Sequence, residues 1–386
     1  MSSATRSALA TPSPSPTTPP RHHPSQGHGN RIVGLDVARA LAVFGMIGAH
    51  VGVVAADVGS APSTWLGVVN GRSSILFAVL AGVSLALLSG RTTPVTGDDL
   101  VRARVRILVR AAWVFVIGGA LEALGTEIDV ILGVYAVLFI LALPFLSWPP
   151  RRLLLAAGVL AVSSPAVVVV LTQVLDASDA YDFPVSILAV TGPYPALIWW
   201  TFVLVGLAVG RTDLTSARVR VRLLTSGAVL AVAGYGGGWL STRAWADGRV
   251  QVWPVEDSYR PTTGAADLLT GAFPHSGTTF EIVGSTGVAL VVIATCLVVA
   301  DRLPRAVFPL AAVGSMALTV YVGQIVAVWA LGGLDYSDNW AWAMYVATAL
   351  VLATAWRLTL GRGPLERLLT WSSLRAARPD TPARGL

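Results

Sequence analysis

Apolar runs of about twenty residues recur along the chain, and short polar segments between them carry most of the charge. Each run is long enough to cross roughly 30 Å of hydrocarbon as an α-helix. Ten such runs are predicted, at approximately 34–55, 70–89, 106–124, 129–147, 153–174, 188–210, 222–241, 281–300, 308–331 and 340–358. The expected fold is therefore all-α, a polytopic membrane protein of about ten transmembrane helices. Residues 1–30 are rich in Pro, Ser, Thr and His and have almost nothing to bury, so they are expected to form a disordered tail. Residues 31–372 are expected to form one helical membrane domain and 373–386 a second tail. The first run starts late and is of span length, as a retained helix would be, so no cleavable signal is expected.

Composition sharpens the class. Of 386 residues, 54% are hydrophobic and 12% charged, about half the charge density of a soluble protein, and mean hydropathy is +0.68. The formal charge is +6, and all 27 basic residues are arginine. That usage, with abundant Ala, Val and Gly, points to a GC-rich bacterial genome and thus a bacterial plasma membrane. The arginines fall between apolar runs rather than on one soluble face, which argues against nucleic-acid binding. Arg91, Arg102, Arg104, Arg106, Arg151, Arg152, Arg211, Arg218, Arg220, Arg222, Arg302 and Arg305 all fall on one side of the predicted topology, with the arginines from Arg362 to Arg384. By the positive-inside rule that side is cytoplasmic, and so are both termini. The opposite loops, of which 242–280 is the longest, carry Asp57, Asp176, Asp179, Asp182, Asp257 and Asp335, and few arginines besides Arg72, Arg243, Arg249 and Arg260.

Motifs exclude several chemistries. Cys296 is the single cysteine, so an internal disulfide and a cysteine metal cluster are ruled out. His22, His23 and His28 read as part of a solvated tail rather than as metal ligands, and no metal site is expected. There is no phosphate-binding loop, dinucleotide fingerprint, H-E-x-x-H or serine nucleophile elbow.

The ionisable residues inside the runs are the candidate chemistry. In "RIVGLDVARALAVFGMIGAHVG", residues 31–52, Asp36, Arg39 and His50 interrupt an apolar run. At about 100° per residue, eleven steps from Arg39 to His50 leave only about 20° after three turns, and all three side chains share one stripe. Asp36 and Arg39, at i and i+3, can pair and so reduce their cost in lipid. That pair reads either as an anchor at the cytoplasmic edge or as part of a site. His50 is the one imidazole within a predicted span, and a histidine there can take up and return a proton near neutral pH. A polar contact within the bundle is its plainer explanation.

Two further groups stand out. Arg102, Arg106 and Arg110 repeat every four residues on the way into the third run, a cationic stripe suited to phosphate oxygens or, more simply, to anchoring. In "PHSGTTFEIVGS", residues 274–285, His275 is a second candidate base, although Ser276 or Thr278 as a helix cap and Glu281 in its first turn account for the motif without chemistry. Tyr321 and Gln324 share one face of the ninth run as cavity polars or interhelical hydrogen bonds. The pairs Gly206/Gly210 and Gly234/Gly238 allow close helix contact.

The first helix, "GLDVARALAVFGMIGAH", resembles that of bacterial acyltransferase-3 proteins, with an Asp, an Arg three residues on and a His eleven after that. "RIVGLDVARALAVFGMI", "NGRSSILFAVLAGVSLALLSG", "DVILGVYAVLFILALPF", "PHSGTTFEIVGS", "GSMALTVYVGQ" and "GPLERLL" resemble the heparan-α-glucosaminide N-acetyltransferase-like family and its bacterial branch, filed partly as domain of unknown function 418. The resemblance covers roughly 31–372. It implies an integral membrane acyltransferase moving an acyl group, acetyl above all, from cytoplasmic acyl-CoA to a hydroxyl or amine of an envelope glycan, lipid or small molecule. It implies acyl-CoA as co-substrate with no permanently bound cofactor. It also implies His50 or His275 as base, Arg39 and Asp36 as orienting residues, and Arg102, Arg106 and Arg110 at the acyl-CoA phosphates. The eukaryotic enzymes place a histidine three residues before a tryptophan in the first outer loop; here Trp65 matches the tryptophan and Pro62 stands at the histidine's position. The alternatives are a transporter or flippase without acyl-CoA chemistry, and a catalytically inactive family member.

Overall fold

Helix α1 (Val33–Val51) is the axis about which the other helices pack: it touches α2 (Arg72–Leu88), α9 (Thr279–Arg302), α10 (Phe308–Ser315), α11 (Ala317–Ala330) and α12 (Asn339–Thr359). Fourteen of its 19 residues are buried. The remaining helices are α3 (Gly97–Glu122), α4 (Leu132–Ala142), α5 (Pro150–Ala177), α6 (Pro184–Thr191), α7 (Ala196–Gly210), α8 (Ala217–Trp245) and α13 (Pro364–Ala376). The computed structural model describes residues 31–53, 60–245, 269–334 and 338–378, and among these there is no strand. The tail 1–30 with His22, His23 and His28, the loop residues Asp57, Arg249, Asp257, Arg260 and Asp335, and residues 379–386 lie outside the described residues.

The chain is a multi-pass, all-helical membrane protein. Six helical segments are individually long and apolar enough to cross a bilayer, and two bent pairs raise the number to eight. The pairs are α6 with α7, at 58°, and α10 with α11, at 79°. The other two predicted spans are also helices: α3 carries the arginine stripe and α4 has only 11 residues. The α6–α7 break falls within "TGPYPA", where prolines deny the backbone its donors. The "GYGGGW" stretch, by contrast, runs unbroken through α8.

Helices pack closely where side chains are smallest. A Cβ on Gly206 of α7 would lie 1.9 Å from the Val79 carbonyl oxygen of α2, and one on Gly234 of α8 would lie 2.2 Å from the Gly284 nitrogen of α9. Gly206, Gly210 and Gly234 thus sit at helix crossings, where van der Waals packing rather than hydrophobicity joins helices in lipid, while Gly238 packs against the Gly271–Ala272 segment that precedes α9. Backbone groups that lose their partners find new ones. Pro165 inside α5 leaves the Ala161 carbonyl without its helical donor, and the Thr279 hydroxyl donates to it at 2.8 Å.

Arg211, directly after α7, is 4% exposed. Its Nη1 donates to the carbonyls of Ser89 and Arg91 at 3.0 and 2.8 Å, and its Nη2 to the Ser89 hydroxyl and the Leu146 carbonyl. Burial lowers its guanidinium to about 10, so it remains cationic at the negative end of α2, where a positive charge complements the unpaired carbonyls. This arginine ties α2, α4 and α7 together and is more than a marker of topology.

One crossing is tighter than all others. A Cβ on Gly314 of α10 would lie 1.7 Å from the Asp36 carbonyl oxygen of α1, whereas one on Gly323, in the other half of the same broken span, meets nothing within 4 Å. Gly314→Ala should therefore destabilise the protein by about 1–3 kcal/mol or more through overpacking. Gly323→Ala should be neutral or stabilising by up to about 1 kcal/mol. Thermal unfolding of the two variants in the same detergent checks this, and equal midpoints would contradict the close approach.

Candidate functional site

The charged stripe on α1 divides into two parts. Asp36 is 3% exposed, and Arg39 donates from Nη1 to its Oδ1 at 2.7 Å. Arg39 Nη2 reaches across to the Ser84 hydroxyl of α2 at 3.0 Å. Ser84 is itself bonded to the Leu80 carbonyl of its own helix. A carboxylate placed three residues before an arginine on one helix face thus compensates it, and one further donor is taken up by Ser84 of α2.

His50 sits three turns further along, half-buried, and its partner comes from α11. Gln324, 5% exposed, places its amide nitrogen 2.8 Å from His50 Nδ1. The sense of this bond follows the orientation of the amide. A half-turn of the amide brings Oε1, which has no partner, to accept from Nδ1–H and leaves Nε2 with a lone pair. Tyr321, one turn back on α11, is 2% exposed and stands edge-on to the His50 ring with centroids 6.4 Å apart. Its oxygen lies by the Ile131 backbone, and its O–H proton has no acceptor among the described residues. Trp342 of α12 closes the other side by donating to the Phe44 carbonyl at 3.0 Å.

The arginine stripe of α3 separates along its length. Arg102 is exposed and paired with Asp99 at 2.9 Å. Arg110 is half-buried, its Nε 3.4 Å from the Ser373 hydroxyl of α13, and its charged neighbours are Arg106 and Arg362. None of Arg106, Arg110 and Arg362 forms an ion pair among the described residues. Three guanidinium groups held together without a carboxylate repel one another unless an anion joins them. Arg362, which lies just before α13, has no sequence pattern linking it to the stripe.

His275 belongs to a different neighbourhood. Thr278 caps α9, its hydroxyl accepting from the Glu281 backbone, so the capping reading of the motif holds. The Glu281 carboxylate in turn accepts from the backbone of His275 at 2.6 Å and of Gly277 at 2.7 Å. His275 has a positive φ of 63° and its ring meets Tyr194 edge-on at 5.6 Å. Burial lowers its imidazole to about 4. Nearby, Arg72 donates to the Tyr235 hydroxyl at 2.8 Å, which bonds to Ser285 at 2.8 Å. Among the described residues, the ring partner of His275 is Tyr194 and that of His50 is Tyr321, so the two histidines stand in separate groups.

A family model of the heparan-alpha-glucosaminide N-acetyltransferase catalytic domain matches residues 31–237. This chain belongs to that family. A second model, a protein of unknown function (DUF418), matches residues 267–375. No curated protein matches the chain. The two matches divide one helical unit, Val33–Leu386. In this member of the acetyltransferase family the neighbourhood of His50 draws on both: His50 falls in the first match, and its partners Tyr321 and Gln324 in the second.

The buried pair on α1 makes a direct prediction. Asp36→Ala should cost about 3–5 kcal/mol by leaving the arginine uncompensated. The double variant Asp36→Ala/Arg39→Met should cost clearly less than the sum of the single changes. A double-mutant cycle on unfolding in detergent measures the coupling, and strict additivity would show that the two charges do not depend on each other.

Proposed function

We propose that this chain is an acyl-CoA-dependent acyltransferase of the bacterial plasma membrane, with ten spans and both termini cytoplasmic. The acyl-CoA enters from the cytoplasm, its phosphates against Arg106, Arg110 and Arg362, with Arg102 at the exposed edge. The acceptor is a hydroxyl or amine of an envelope glycan, lipid or small molecule. His50 Nε2 removes the acceptor's proton while the acceptor atom attacks the thioester carbonyl carbon. The C–S bond then breaks, and the departing CoA thiolate takes up a proton. With the Gln324 amide turned so that Oε1 accepts from Nδ1–H, the imidazole is held with its Nε2 lone pair free, the arrangement a general base requires. The free O–H proton of Tyr321 supplies a donor for the negative charge that grows on the carbonyl oxygen. Arg39, neutralised by Asp36, anchors the inner end of α1.

The observation that carries this reading is the His50–Gln324 contact: a histidine within a membrane helix, oriented by a buried amide, in a family named for acetyl transfer. With Pro62 at the first-loop position where eukaryotic relatives have a histidine, His50 is the residue left to act as base, ahead of His275, whose backbone is tied to the Glu281 cap. If the loop histidine is indispensable, the chain is an inactive member.

A second reading, a transporter or flippase, gains from one observation. Two spans are broken helices, the feature expected where a pathway crosses the midplane. Turnover separates the readings. Purified protein should cleave acyl-CoA in the presence of envelope extract and label an acceptor, and His50→Ala should lower the rate by ~10²–10⁴. Undiminished turnover in the variant would remove His50 from the mechanism. Absence of turnover in the wild type, with transport present, would favour the second reading.

A further inference from the structure

The break between α10 and α11 leaves a helix N-terminus inside the fold, and one carboxylate occupies it. Glu366 of α13 accepts through Oε1 from the backbone of Leu318 at 2.9 Å and of Thr319 at 3.1 Å. Its Oε2 accepts from the Thr319 hydroxyl at 2.6 Å, and the Leu365 backbone donates back to that hydroxyl at 3.3 Å. The fit leaves no spare room: a Cβ on Gly363 would lie 2.5 Å from Met316 Cβ at the break itself. The first N–H groups of a helix have no partner within it and carry its positive end, so an anionic cap there is strongly favoured.

Helix α11 is short, 14 residues, and is buried along Tyr321, Gln324, Ile325 and Val328. Gln324 lies five residues beyond Thr319, about 7.5 Å along the axis. Whatever fixes the start of α11 also fixes the height and rotation of the amide that meets His50. From the break onwards, Glu366 is the charged group that makes this attachment. The same α13 reaches Arg110 through Ser373, so one helix touches both the arginine cluster and the support of the histidine.

We infer that Glu366 is a positioning residue for His50, acting through the N-terminus of α11 and the Gln324 amide. The inference rests on the reading of His50 as base for its effect on rate, but its structural half stands without it. Gln at position 366 keeps an oxygen for the two backbone donors and an amide for the Thr319 hydroxyl, whereas Ala removes all three bonds. A displacement of the amide by about 1 Å is enough to cost up to about 100-fold in rate.

The test uses full-length protein in detergent, labelled with ¹⁵N-histidine. The His50 signals are assigned by their loss in His50→Ala, and Gln324→Leu shows what release of the imidazole looks like. The wild type should show His50 in one neutral tautomer. Glu366→Ala should shift it toward the Gln324→Leu pattern and lower kcat about 10- to 100-fold with KM for acyl-CoA nearly unchanged, and Glu366→Gln should restore most of both. Should Glu366→Ala fail to fold, Thr319→Val, which removes one of the three bonds, is expected to move the tautomer in the same direction to a smaller extent. An unmoved His50 signal in whichever of these variants folds would overturn the inference. If His50→Ala retains full turnover, the reading of the base fails, and the tautomer measurement still decides the role of Glu366.

Discussion

A charge placed in a membrane helix must be met by another protein group, and α1 is arranged around that requirement. Its Asp36–Arg39 pair would cost several kcal/mol if either partner stood alone, so the half of the helix that carries it cannot face lipid. Five other helices enclose it, and the closest of them approaches so nearly that only glycine fits at Gly314. Burial of the first helix is thus a consequence of its ionisable residues as much as of its apolar ones.

The polar groups form a ladder from one end of the bundle to the other. At one end stand the guanidinium groups of Arg106, Arg110 and Arg362, without an ion pair among the described residues; further along, α13 caps α11; beyond that, Gln324 of α11 meets His50. Each rung joins residues far apart in sequence, and the last joins positions 50 and 324.

Much of this was legible in the sequence, and the limits have physical causes. The ten apolar runs all became helices because their length and composition leave a membrane few other options. The Asp36–Arg39 pairing followed from helical spacing, and the Thr278–Glu281 cap from the order of residue types at a helix start. The break after Ser315 escaped the sequence reading: the Gly314–Ser315 pair permits a kink without demanding one, and the carboxylate that caps the new helix start lies fifty residues away. For the same reason Arg211 read as one more cytoplasmic arginine, although the carbonyls of α2 bury it. Arg362 joined the stripe of α3 only through the return of α13. Local pattern predicts elements; the partner of a buried polar group is a property of packing.

The central claim, that the arginine cluster takes the phosphates of acyl-CoA, is tested most directly by calorimetry of acetyl-CoA binding to the purified protein in detergent. Binding should be saturable, and Arg110→Met should weaken it by about 10- to 100-fold, the worth of charge-assisted phosphate bonds. Arg243→Met, at the end of α8 and stacked on Trp239, should leave it unchanged. No binding by the wild type, or equal binding by the Arg110→Met protein, would show that the cluster does not hold the phosphates.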